Sequence, residues 1–210
     1  IAKSSEEPLY HLAVVVDDFE MGITHVIRGE DHISNTPRQI LIGEALGAPR
    51  PQYAHIPLIL APDRSKLSKR HGALAIAEYR NRGYMPEAIC NYLALLGWNP
   101  GTDQEIFSLD ELAELFDLGR VQKSGAIFDI EKLKWINREY LKKHPTEILK
   151  KIKESASDDG VAAKLLPLVM GRISTTEEIG VLLGQGELGF INLPEYEGEK
   201  LIWKESNLVN

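Results

Sequence analysis

The stretch from Pro62 to Gly72, PDRSKLSKRHG, places four fixed cations, Arg64, Lys66, Lys69 and Arg70, within seven positions of a 210-residue chain whose formal charge is -7. Lys66 and Lys69, three residues apart with Ser68 between them and Arg70 after, offer mobile point charges and a hydroxyl. Such a loop can close over a triphosphate and stabilise the charge that develops as pyrophosphate leaves. The same residues also suit a solvated basic turn, so their neighbours have to decide. Upstream, VIRGEDH supplies Arg28, a guanidinium able to grip a carboxylate through two parallel hydrogen bonds, or to form a structural ion pair with Glu30 or Asp31. His32 and His55 each either touch a ligand or orient their own loop.

Other chemistries find no footing. There is no G-x-x-x-x-G-K-[ST], no G-x-G-x-x-G after a strand, no G-x-S-x-G elbow and no H-E-x-x-H. The six histidines are dispersed and give no argument for a metal site. A single cysteine excludes an intrachain disulfide framework and fits a reducing compartment; Cys90 lies in the apolar run EAICNYLALLG and is expected as a buried thiol. No apolar stretch approaches the roughly 18 to 20 residues of a membrane span and no leader pattern opens the chain, which reads as cytoplasmic.

The elements that must carry the loop form an α/β pattern. YHLAVVVDD and THVIRGEDH read as buried strands ending in acids. HISNTPRQILIGEALG reads as a helix, with Asn35 or Thr36 as cap, Pro37 in its first turn and Gly47 at its end. QYAHIPLILA is a further strand that delivers the chain into the basic loop. Ligands of such a sheet sit at the carboxyl ends of its strands. After Ala73 the pattern is helical: MPEAICNYLALLGW with Ala88, Ile89, Tyr92, Leu93 and Leu96 on one face; FSLDELAELF with a capping box of Ser108 and Glu111; FDIEKLKWINREYLKKHP capped by Asp129 and stopped by Pro145. Three short helices follow from Thr146, the last with a capping box of Ser174 and Glu177. Between Lys132 and Lys153, eight Lys and Arg face two Glu. This belt can meet a polyanion, or simply be the wet face of a helix.

Taken together, THVIRGEDHISNTPRQ, YAHIPLIL, KLSKRHGA, GYMPEAICNYLALLGW and FDIEKLKWIN resemble the bacterial glutamyl-tRNA synthetases, a class I aminoacyl-tRNA synthetase family, across most of Pro8 to Tyr140. The resemblance implies that residues 1–77 are the second half of a Rossmann-like catalytic domain. Residues 78–143 would then be a helical stem-contact region, and 144–210 the start of an all-α anticodon-binding region. It assigns Lys66, Leu67, Ser68, Lys69, Arg70 and Asp31 to ATP, with Lys69 and Lys66 catalytic at the transition state of adenylate formation, and places Tyr10, His11, Val14 and Arg28 around glutamate. It also brings Mg2+ with ATP, and tRNA(Glu), with tRNA(Gln) as a further candidate, as partners of a monomeric parent. In that setting Lys132, Lys134, Arg138, Lys142 and Lys143 would touch the tRNA backbone.

Two departures qualify the match. Val14 stands where some relatives carry Asn, and valine cannot donate a hydrogen bond. The family's His-x-Gly-His type motif is absent from these 210 residues, so the chain is expected to be a fragment of a longer polypeptide, inactive alone. A paralogue that glutamylates a modified tRNA base, a glutaminyl-tRNA synthetase and a non-catalytic tRNA-binding protein are the competing readings. Helices after Thr146 argue against the first two, and the intact KLSKR against the third.

Overall fold

In a computed structural model of the chain, the described residues are 2–4, 7–68, 70, 74–155 and 159–184. In chain order they form β1 (Ala2–Ser4), β2 (Glu7–Pro8), α1 (Tyr10–Glu20), β3 (His25–Gly29), a 3-10 turn (Glu30–Asn35), α2 (Thr36–Leu46), β4 (Gln52–Ile56) and β5 (Ile59–Leu60). Then come α3 (Ile76–Asn81), α4 (Pro86–Gly97), α5 (Leu109–Leu115), β6 (Ala126–Ile127), α6 (Ile130–Lys143), α7 (Pro145–Ser155), α8 (Asp159–Met170) and α9 (Glu177–Gly184). They divide into two compact units, one from 1–73 and 91–129, the other from 74–90 and 130–210.

In the first unit β3 and β4 pair in parallel, with Arg28 opposite His55, and β5 pairs in parallel with β6. YHLAVVVDD, expected as a strand, is instead the helix α1. Leu12, Val15, Val16 and Phe19 recur at helical spacing within the β-branched run, and Val15 is buried. Its Cγ1 would stand 3.7 Å from a Cβ at Gly43 of α2, so close packing on α2 overrides local strand propensity. QYAHIPLILA is two strands rather than one. Pro57 lies at the break, and the Leu58 N–H turns aside to donate to Glu30 Oε1 at 3.1 Å. Gly125 is what lets β6 approach β5, because a Cβ there would lie 2.8 Å from the Leu58 carbonyl oxygen.

Cys90 is exposed, not buried as expected. On α4 the interior is taken by Ala88, Asn91 and Tyr92, and Leu93 is exposed. Asn91 earns its fully buried place by satisfying loop backbone: Nδ2 donates to the Glu105 carbonyl at 3.1 Å and Oδ1 accepts from Phe107 N–H at 2.8 Å. The Ser108–Glu111 capping box on α5 is present in both directions, at 3.1 and 2.6 Å, and Phe107 and Leu112 join Trp98 in one apolar cluster.

The second unit is helical. Its core gathers Leu141, Ile148, Ile152, Ala162, Leu165, Val169, Ile173, Ile179 and Leu183 from α6 to α9. Pro145, read as a stop, also opens α7. Buried Asn137 ties the unit together, accepting from Met85 N–H at 2.8 Å and donating to the Ser174 carbonyl at 2.6 Å. The expected Ser174–Glu177 box is not formed. The Ser174 N–H donates to Glu178 Oε2 at 2.7 Å, while Ser174 Oγ accepts from Arg138 Nη2 at 2.7 Å. α9 begins at Glu177, so the reciprocal contact falls one residue further on. Among the described residues no helix is long and apolar enough to cross a membrane.

Candidate active site

The first unit gathers most of its candidate site residues where β3 ends. Gly29 opens the 3-10 turn, and a Cβ there would sit 2.6 Å from Asp31 Oδ1, so a larger residue would make the Asp31 side chain shift. The turn repeats every three residues, which eclipses side chains at i and i+3. Asn35 Nδ2 therefore lies 3.1 Å from His32 Nδ1. Tyr10, at the start of α1, brings its hydroxyl to 3.5 Å from the same ring nitrogen. His11 follows with its ring 5.4 Å from that of Tyr10, and its Nδ1 is buried with no partner among the described residues. Val14 lies one turn along the helix, half-buried.

Arg28 is held from several sides. Nη2 donates to Thr36 Oγ1 at 2.8 Å, Nε faces His55 Nε2 at 3.5 Å, and the guanidinium carbon lies 5.4 Å from the centroid of the Tyr53 ring. The ion pair with Glu30 or Asp31 that the sequence allowed is not how Arg28 is engaged, since Glu30 accepts from Leu58 and Asp31 pairs with Lys66.

The basic loop folds back on β5. Arg64 N–H donates to the Ala61 carbonyl at 2.8 Å, Ala61 N–H to Ser65 O at 2.8 Å, and Leu67 N–H to Ile59 O at 3.0 Å. Asp63 Oδ1 accepts from both Ser65 N–H and Ser65 Oγ, at 2.9 and 2.7 Å, and Arg64 adopts φ 65° at the tip. This fold-back sets Lys66 opposite Leu60 and its Nζ 2.6 Å from Asp31 Oδ2. The hydrogen bond from Lys66 holds the Asp31 carboxyl below the usual aspartate range. Leu67 and Ser68 are half-buried and Arg70 is exposed; Lys69 lies outside the described residues.

Tyr10, Arg28, Asp31 and Lys66 are thus brought to the end of one strand, where an anionic ligand would meet a guanidinium and an ammonium with an exchangeable carboxylate partner. Sequence reasoning missed Thr36 as anything but a helix cap. The signal lay in the six-residue EDHISN between strand and helix, short enough to fold the next hydroxyl back onto Arg28.

The five candidate RNA contacts are on α6, in the other unit. Lys132 Nζ lies 4.2 Å from the Trp135 ring centroid, Lys134 pairs with Glu131 at 2.8 Å and Lys142 with Glu139 at 2.6 Å. Arg138 is turned to Ser174, and Lys143 is exposed in the last turn.

Residues 1–135 match the family model of class I tRNA synthetases (E and Q), catalytic domain. The chain is 59% identical over 152 residues to the glutamate–tRNA ligase of Desulforamulus reducens, covering 72% of this chain, and 61% identical over 142 residues to that of Carboxydothermus hydrogenoformans, covering 68%. It spans 32% and 30% of those relatives' own lengths. Among solved structures, the glutamate-tRNA synthetase of Elizabethkingia anophelis aligns with a TM-score of 0.78 at 36% identity, over 95% of this chain and 44% of that one. The glutamate tRNA ligase of Elizabethkingia meningosepticum, in complex with its amino acid, aligns at 0.75 and 38%, over 85% and 40%. With the family model covering more than half of its length, the chain belongs to the class I tRNA synthetases of the E and Q type, and supplies part of their catalytic domain.

Proposed function

We propose that this chain supplies the glutamate- and ATP-facing half of a glutamate–tRNA ligase. The observation that carries the reading is the convergence of Arg28 and the Lys66–Asp31 pair at the carboxyl end of β3, beside the basic loop.

In this reaction one carboxylate oxygen of glutamate attacks the α-phosphorus of ATP. The bond to the bridging oxygen breaks, and pyrophosphate leaves with glutamyl-adenylate as the other product. A ribose hydroxyl at the tRNA terminus then attacks the adenylate carbonyl and AMP leaves. No protein nucleophile is required; positioning and charge neutralisation are. Arg28 holds the carboxylate that does not react, because the other must be free for in-line attack. Tyr10, His11 and Val14 line the amino-acid side from the first turns of α1, with Val14 contributing shape rather than a hydrogen bond. Lys66 exchanges Asp31 for the phosphates, and Lys69 acts where charge develops on the departing pyrophosphate, with Leu67, Ser68 and Arg70 completing the loop. Mg2+ enters here as part of the MgATP substrate.

Residues 78–143 and 144–210 form the stem-contact region and the beginning of the anticodon-binding region, meeting tRNA(Glu), and tRNA(Gln) in a non-discriminating enzyme, through the α6 cations. The enzyme works in the cytoplasm as a monomer. The test is attachment of labelled L-glutamate to tRNA by a chimera in which this chain replaces the matched segment of the Desulforamulus ligase. Glutamylation with L-glutamate and not with L-glutamine is expected; a folded chimera that binds tRNA yet transfers no glutamate would overturn the reading.

A further inference from the structure

Arg28 spends one edge of its guanidinium on the protein. Nη2–H donates to Thr36 Oγ1 at 2.8 Å and approaches the His32 carbonyl at 3.5 Å, while Nε–H faces His55 Nε2 at 3.5 Å. Thr36 Oγ1 is itself fixed, 3.2 Å from the His32 carbonyl oxygen and 3.1 Å from His55 Nε2. β3, the 3-10 turn, α2 and β4 therefore all clamp the same side of the fork. Nη1 has no partner among the described residues, so the edge formed by Nη1 and the second Nη2–H points away from the clamp. That edge is the one whose two parallel N–H groups match a carboxylate.

We propose that Thr36 and His55 are positioning residues that lock Arg28 by its side edge, so that its end edge is presented, already oriented, to the carboxylate of the amino-acid substrate. The inference rests on the functional reading above and adds to it the residues that set its specificity for an acidic side chain. It also dictates a tautomer. A guanidinium has donors only, so the 3.5 Å contact from Arg28 Nε–H calls for His55 Nε2 as acceptor, with the imidazole proton on Nδ1. With the proton on Nε2, that N–H would instead donate to Thr36 Oγ1 at 3.1 Å, and Thr36 alone would hold Arg28.

Two measurements test this. On the 210-residue chain, nitrogen NMR of the imidazoles should find His55 as the Nδ1–H tautomer. Thr36→Val should move the Arg28 Nε–H resonance to that of solvent-exposed arginines while the rest of the spectrum is kept, and Thr36→Ser should restore it. In the chimera, Thr36→Val removes a charged hydrogen bond and should raise the KM for glutamate by about 10-fold or more. The KM for ATP should stay within about 2-fold, since Thr36 bears on the amino-acid side only, and Thr36→Ser should recover most of the loss. A Nε2–H tautomer would overturn the part given to His55, and a failed serine rescue or equal rises in both KM values would overturn the lock as a whole. If the NMR responses appear but the unmodified chimera activates no glutamate, the functional reading is what fails, and the carboxylate role of Arg28 fails with it.

Discussion

On the proposed function, the Asp31 carboxylate stands beside Lys66 where a phosphate of ATP would take its place. Asp31 is lowered first by the hydrogen bond from Lys66 and then, against an opposing desolvation effect, by the lysine's charge. A carboxyl depressed in the folded state contributes stability above the ordinary aspartate range and loses it as pH falls through its own lowered value. We therefore expect the Asp31 carbon resonance to titrate below that of exposed aspartates, and Lys66→Met to return it to the ordinary range; an unchanged midpoint in Lys66→Met would show that the pair is not formed. Lys69→Ala in the chimera should slow adenylate formation by about 10²-fold while weakening ATP binding less, because its charge acts mainly in the transition state. Rapid-quench kinetics separate the two effects. At this scale residue type and spacing singled out the loop lysines and serine and offered Arg28 as a carboxylate grip, while Asp31 entered as a ligand residue only through the family resemblance. Thr36 was read only as a helix cap, and His55, though singled out, was not tied to Arg28, because their contacts with it depend on a register between β3 and β4 and on a 3-10 turn, neither visible in residue type.

Elements were legible where local signals and burial agree. Ser108 and Glu111 cap α5 as their spacing says, and Ser108→Ala should cost about 1 kcal/mol in chemical denaturation. α1 was hidden because three successive valines favour a strand locally, and only packing on α2 makes them helical. The interior face of α4 was misjudged because Asn91, polar by type, is buried to serve the Glu105–Phe107 loop and leaves Cys90 outside. Asn137 plays the same part in the helical unit, where neither of its partners is near in sequence. Asn137→Ala strands the Met85 N–H and the Ser174 carbonyl, and should destabilise that unit by about 2 to 3 kcal/mol. Urea unfolding followed by helical circular dichroism would measure it, and a loss under about 0.5 kcal/mol, the size of an ordinary surface change, would contradict the bridging role.

At the level of the molecule, a net negative chain of 24 Lys and Arg carries eight of them on one stretch of α6 and α7. Its members are not equivalent. Lys143→Ala should reduce the salt dependence of tRNA binding by about one unit of slope, as loss of a phosphate contact does. Arg138→Ala should instead lower the stability of the helical unit, since its guanidinium is committed to Ser174 Oγ. Binding titrations at several salt concentrations, beside thermal melts, separate these outcomes; equal slope changes for both would mean that Arg138 faces RNA as well. The family and the helical character after Ala73 were legible across the chain, whereas the division into two units interleaved in sequence was not, because it depends on long-range packing.

The most direct measurement is glutamate-dependent ATP–pyrophosphate exchange, with tRNA present, in the chimera and in its Arg28→Gln variant. Exchange is expected with L-glutamate, and in the variant a rise in glutamate KM of at least about 10-fold with ATP KM nearly unchanged, as for a lost charged contact to one substrate. Absence of exchange, or equal damage to both substrates, would contradict the proposed function.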